Sequence, residues 1–93
     1  MAIYVELPAK LAAMAGIEKA ELHGGSMTLY DALNQLVDQY PVLKLELFEL
    51  GEPDWAYFYS VNGDAIPQEQ FFATILNDGD QVSLLGLPVL GGG

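Results

Sequence analysis

The residues best placed for chemistry are Gly91-Gly92-Gly93, which follow a strand-like segment and carry the carboxylate that closes the chain. Glycine has no Cβ, so a tail of this kind adopts nearly any backbone conformation and approaches another protein's main chain closely. A terminal carboxylate on such a tail can enter a narrow partner site and be activated there. The competing reading is a frayed end or a spacer, because glycine-rich stretches also serve as flexible linkers. Other chemistry-bearing residues offer less. His23 stands beside Gly24-Gly25 with no cysteine and no second histidine in the chain, so it reads as a surface loop residue and not as a metal ligand. Glu46, Glu49, Glu52 and Asp54 lack the alternating ligand pattern and central glycine of a calcium loop and read as a solvated acidic face. Asp78 and Asp80 flank Gly79 and serve a turn. Trp55, Tyr57, Phe58 and Tyr59 suggest core packing more than a stacking platform for bases.

The elements that must hold the tail can be read from hydrophobic period. Ile3, Val5 and Leu7 alternate with Tyr4 and Glu6, the signature of a strand with one buried face, and Pro8 ends it. Ala9 to Ala15 can form a short helical turn before Gly16, and residues 17–22 read as a weaker strand closed by Gly24-Gly25. Thr28 is placed to cap a helix, with Asp31 three residues later as a variant of the capping box. Leu29, Leu33, Leu36, Val37 and Tyr40 then recur at helical spacing until Pro41 stops the helix.

Over residues 42–50 the two signals conflict. Leu43, Leu45 and Leu47 alternate like a strand, whereas leucine and glutamate favour helix, and a short helix is expected. From Trp55 to Val61 the pattern is again that of a strand, and Asn62-Gly63 predicts a tight hairpin into a short return strand over Asp64 to Ile66. Asn77-Asp78-Gly79-Asp80 marks a turn before a last strand over Gln81 to Leu87. One face of this sheet, carrying Ile3, Val5, Tyr57, Tyr59, Val61, Val82 and Leu84, should point at the helix. Phe58, Leu85 and Leu87 fall on the other face, where large apolar groups suggest a binding patch.

At 93 residues, with 52% hydrophobic and 17% charged residues, the chain suits one small domain with a single core. Thirteen acids against three lysines and no arginine leave a formal charge of −10, which makes nucleic acid and anionic membrane poor partners and a basic protein surface a good one. The absence of cysteine removes disulfides, thiol catalysis and thiolate metal sites and fits a cytoplasmic protein. Neither a signal segment nor a stretch of membrane-spanning length is apparent, so a start without processing is expected.

The order of elements, one main helix against a mixed sheet whose last strand bears a diglycine tail, resembles the β-grasp sulfur carriers of the MoaD/ThiS family. The likeness is carried by Thr28-Leu29-Tyr30-Asp31-Ala32-Leu33 at the helix start, Val61-Asn62-Gly63 at the hairpin, Asn77-Asp78-Gly79-Asp80-Gln81-Val82 before the last strand, and Pro88-Val89-Leu90-Gly91-Gly92 in the tail. The length is closest to the small subunit of molybdopterin synthase. The resemblance implies an α+β, ubiquitin-like β-grasp domain over residues 1–87 and a flexible glycine tail over 88–93. The family's tail usually ends at the second glycine after paired prolines; here Gly86-Leu87-Pro88 precedes it and Gly93 is extra. The working terminus is therefore Gly93, or Gly92 if the last residue is trimmed.

By the same resemblance, a ubiquitin-activating-type enzyme adenylates the terminal glycine with ATP and a sulfur nucleophile converts it to a thiocarboxylate. A sulfur acceptor or large synthase subunit then receives the sulfur, most simply in molybdopterin synthesis. The chain has no glycine-rich, lysine-bearing phosphate loop, so ATP and catalytic groups belong to the partner and no cofactor or metal is expected on this chain. Phe58, Leu85, Leu87, Pro88, Val89, Gly91 and Gly92 are the expected partner-binding residues. The chain would be a co-substrate and not an enzyme. The alternatives are a ubiquitin-like protein modifier, joined through its tail to a lysine, and a β-grasp interaction module whose tail is idle.

Overall fold

The computed structural model describes residues 2–86. Leu87, Pro88, Val89, Leu90, Gly91, Gly92 and Gly93, and with them the expected tail and the end of the last expected strand, lie outside the described residues.

Strand β1 (Ala2–Glu6) buries Ile3 and Val5 and is followed by helix α1 (Ala9–Ala15), which Gly16 closes in the left-handed conformation. Strand β2 (Lys19–His23) returns antiparallel to β1 and buries Ala20 and Leu22. A two-residue strand β3 (Met27–Thr28) leads into the main helix α2 (Leu29–Gln39). The start of α2 follows from its sequence: the Thr28 hydroxyl accepts from the Asp31 amide at 3.0 Å and the Asp31 carboxylate accepts from the Thr28 amide at 3.2 Å. That reciprocal box satisfies two donors the first turn would otherwise leave open. The buried stripe is Leu29, Ala32, Leu33, Leu36 and Val37, and Tyr40 is half-buried at the end.

Residues 42–50 resolve the conflict between period and propensity in parts. A 3₁₀ turn over Pro41–Leu43 runs into helix α3 (Lys44–Leu47), which buries Leu43 and Leu47 and leaves Leu45 exposed. The chain then forms a small ribbon of β4 (Phe48–Glu49) and β5 (Glu52–Pro53). Strand β6 (Tyr57–Val61) and strand β7 (Asp64–Ile66) make the hairpin expected at Asn62-Gly63, whose φ values of 52° and 88° are those a type I′ turn requires. Strand β6 begins two residues later than its aromatic run. Asp54 holds a turn there, its carboxylate accepting from the Ala56 amide at 2.9 Å. A second 3₁₀ turn (Gln68–Gln70) precedes β8 (Ile75–Leu76), which pairs with β3, and β9 (Gln81–Gly86) completes the sheet.

The main sheet has the order β2-β1-β9-β6-β7, with β9 parallel to β1 and antiparallel to β6. Its inner face carries Ile3, Val5, Tyr57, Tyr59, Val82 and Leu84, all buried against the α2 stripe as the alternation predicts; Val61 is half-buried at the edge. Phe71 is a core residue that periodicity does not mark. It is 1% exposed and packs against Tyr59, Trp55 and Tyr30 at ring-centroid distances of 5.0, 5.3 and 6.2 Å. This is the α+β, ubiquitin-like β-grasp arrangement of a mixed sheet on one main helix.

Candidate functional site

Strand β9 is central in the sheet, between β1 and β6, and the expected partner-binding residues that lie among the described ones, Phe58 and Leu85, fall on β6 and β9. Phe58 lies directly opposite Leu85 in the β6–β9 register. Directly opposed residues share one face of an antiparallel pair, and this pair sits on the face turned away from α2. Phe58 is 54% and Leu85 57% exposed. Two large apolar side chains side by side in solvent form the nucleus of an apolar patch. Further along the same face, Ser60 opposes Ser83, and Gln81 donates to the Glu6 carboxylate at 3.0 Å. Lys19 sits over the Tyr4 ring, 5.8 Å from its centroid. The patch therefore passes into a polar margin that carries Glu6 and Glu21.

On the inner face, Gly86 pairs with Tyr57 at the point where β9 leaves the described residues. The Tyr57 hydroxyl donates to Glu46 Oε2 at 3.1 Å, and Lys10 Nζ meets the same oxygen at 3.2 Å. Burial, and then the hydrogen bond to the Glu46 carboxylate, push the Tyr57 hydroxyl up from 10.0 to about 12, so it stays neutral and holds its donor in place. A tyrosine, a carboxylate and a lysine thus tie α1 and α3 to the root of the tail. The cluster was not visible as a motif, because its members come from three separate elements. Asp54 also lines the shallow cavity of about 420 Å3 beside Gly86. Nothing in this set resembles a nucleophile with an adjacent base.

The remaining candidates are structural. His23 ends β2, exposed, with Nε2 3.0 Å from Glu21 Oε2, and its backbone amide and carbonyl are both engaged by the Gln35 side chain at 3.0 Å. Asp80 organises its turn through Asn77 and Asn62, and the Asp78 carboxylate accepts from the Ala2 amide. Of the aromatic run, Tyr57 and Tyr59 are core, Trp55 is half-buried and Phe58 is exposed. The described residues contain no group of three or more histidines or acids placed to hold a metal ion, and no described helix is long and apolar enough to cross a membrane.

The sequence profile of the ThiS family matches residues 5–93. The chain belongs to the ThiS family. ThiS-family proteins are non-catalytic sulfur carriers and bind no cofactor themselves. The crystal structure of SAMP1 from Haloferax volcanii is similar to this chain with a TM-score of 0.84 and 30% identity, covering 99% of this chain and 100% of that one. The solution structure of small archaeal modifier protein 1 from Methanosarcina acetivorans matches with a TM-score of 0.81 and 32% identity over 98% of this chain and 96% of the other. The crystal structure of the Amycolatopsis orientalis BexX/CysO complex matches with a TM-score of 0.79 over 96% of this chain and 99% of the matched chain; at 18% identity it speaks for the fold alone. No curated protein matches the sequence significantly. The ThiS-family chain is accordingly a sulfur carrier or a modifier of the small archaeal kind.

Proposed function

We propose that the terminal glycine of this chain is adenylated by a ubiquitin-activating-type enzyme and converted to a thiocarboxylate that donates sulfur in cofactor biosynthesis, with molybdopterin as the destination. The observation that carries this reading is the ThiS-family match running through the glycine tail to residue 93. A carboxylate is a poor acyl donor because its oxygen is a poor leaving group. Attack of that oxygen on the α-phosphorus of ATP expels pyrophosphate and leaves an acyl-adenylate. A sulfide-level nucleophile then adds to the acyl carbon and AMP departs, so one carboxylate oxygen is replaced by sulfur. All the chemistry belongs to the partner; this chain supplies the acyl group and presents it.

Presentation is the work assigned to the remaining residues. Residues 88–93 extend to about 20 Å at roughly 3.3 to 3.6 Å each, enough to reach a recessed catalytic centre while the domain stays outside. Gly91 and Gly92 pass a narrow channel, Pro88 and Val89 contact its mouth, and Phe58, Leu85 and Leu87 dock the domain. The reactive residue is Gly93, or Gly92 after trimming. In the sulfur pathway the chain is a co-substrate and the small subunit beside a larger synthase subunit that accepts the sulfur.

A second reading has its own support in the 30% and 32% identity to two proteins named as small archaeal modifiers. In it a lysine ε-amine takes the place of sulfur at the acyl carbon and an isopeptide forms. Protein isolated from cells separates the two. A thiocarboxylate on its own terminus, together with conversion of a molybdopterin precursor, supports the carrier. An isopeptide-linked lysine on another protein, with no thiocarboxylate pool, supports the modifier.

A further inference from the structure

Under the outer edge of the sheet lies a cavity of about 250 Å3, walled by Trp55, Tyr59, Ile66, Pro67 and Phe71, among others. Phe58 also borders it, but the tail and the Phe58–Leu85 patch leave the cavity itself without a role. Its walls are braced by ring packing: Phe71 is core, and Trp55 and Tyr59 lean on it at 5.3 and 5.0 Å between ring centroids. The volume falls below the roughly 300 to 1,000 Å3 of sites that enclose a whole small ligand, and suits one large apolar side chain.

Two further observations say what brings that side chain. Strand β7 is the end strand of the sheet, paired only with β6 among the described residues, and its Ala65 and Ile66 form part of the cavity wall. An extended segment added to that edge gains main-chain hydrogen bonds and turns alternate side chains toward the cavity. Charge sets the rest of the segment. Asp64 and Glu69 neighbour the lining residues Ala65 and Gln68 in the chain, whereas the three lysines, Lys10, Lys19 and Lys44, all lie outside the lining. With a formal charge of −10 the surrounding field favours a cationic partner.

We propose that this cavity and the open edge of β7 form a second binding site, which takes an extended basic segment of a partner protein and seats one large apolar side chain between Trp55, Ile66 and Phe71. Lysines or arginines of that segment lie beside Asp64 and Glu69. The site borders the docking patch at Phe58 but does not depend on which acceptor the tail serves.

Trp55 is the chain's one tryptophan, so its fluorescence reports on the cavity directly. The probe is a synthetic peptide of alternating arginine and valine with a single central phenylalanine. A saturable change in Trp55 emission is expected, with amide shifts centred on residues 64–68. Alanine in place of the phenylalanine should weaken binding about tenfold or more, the loss of a buried anchor, and glutamate in place of the arginines should abolish it. Ala65→Phe, at an exposed lining position, should block the peptide with the melting curve unchanged; Asp64→Lys with Glu69→Lys should weaken binding of the same peptide. The proposal is overturned if no saturable change occurs, if the alanine peptide binds as well, or if Ala65→Phe leaves binding intact. It is equally overturned if indole alone binds as tightly as the peptide, which makes the cavity a small-molecule site.

Discussion

Tyr57 and Glu46 meet at 3.1 Å across the root of the tail, joining the first residue of β6 to α3 through a hydrogen bond whose acceptor oxygen also holds Lys10. Burial and this carboxylate raise the Tyr57 hydroxyl from 10.0 to about 12. An unfolded chain loses that proton near 10.0, while the folded chain keeps it until about 12. In that window the unfolded state binds fewer protons, so stability present below 10.0 falls as pH rises toward about 12. Tyr59 is shifted in the same direction, first by burial and then by Asp54. Urea midpoints of Tyr57→Phe should therefore show a shallower alkaline loss than the parent chain, with a remainder that belongs to Tyr59. An identical pH dependence would show that Tyr57 is not held as described.

The Tyr59 hydroxyl is buried with no hydrogen-bond partner among the described residues. Leaving such a group unpaired costs about 1–3 kcal/mol. Tyr59→Phe should therefore be neutral or stabilising by about 1 kcal/mol in chemical denaturation. A clear destabilisation would mean the hydroxyl has a partner in solution.

Leu50 and Gly51 form the two-residue loop of the β4–β5 ribbon, at φ 52° and 82°, and Leu50 is 98% exposed. Left-handed backbone costs an ordinary L-residue about 1–2 kcal/mol, and asparagine relieves part of it. Leu50→Asn should raise the melting temperature, with a gain of about 0.5 to 1 kcal/mol. A lower melting temperature would contradict the turn.

That loop also shows where the sequence was hard to read. Asn62-Gly63 announces its hairpin because both residues tolerate positive φ, whereas Leu50-Gly51 makes the same turn with a residue that ordinarily avoids it. The α2 stripe and the alternation of Ile3 and Val5 were legible because one face of each element is buried and the other is not. Phe71 was not, since it is placed by a single 3₁₀ turn with no period to reveal it. Of the candidate site, the shared face of Phe58 and Leu85 was legible in strand alternation, whereas their direct opposition depends on the pairing of β6 with β9, which alternation within a strand does not set. The Lys10–Glu46–Tyr57 cluster depends on how α1 and α3 pack on the sheet, which no local pattern encodes.

Phe58 should act in binding and not in folding. With 54% of its surface exposed, Phe58→Ala should change stability by no more than about 0.5 kcal/mol. Loss of an aromatic anchor in an interface costs about 2 kcal/mol or more, so titration of the adenylating enzyme with this variant should show a weaker complex. Equal affinity for the parent and the variant would remove the patch from the docking surface.

The most direct test of the account is the intact mass of the protein after incubation with its adenylating enzyme, ATP and a sulfur donor. The account predicts the rise expected when one oxygen of the terminal carboxylate is exchanged for sulfur, on the full chain or on one trimmed to Gly92. It also predicts no such rise once Gly92 and Gly93 are both deleted, although that shortened chain melts as the parent does. An unchanged mass for both the full and the trimmed chain, or a sulfur adduct that survives the deletion, would contradict it.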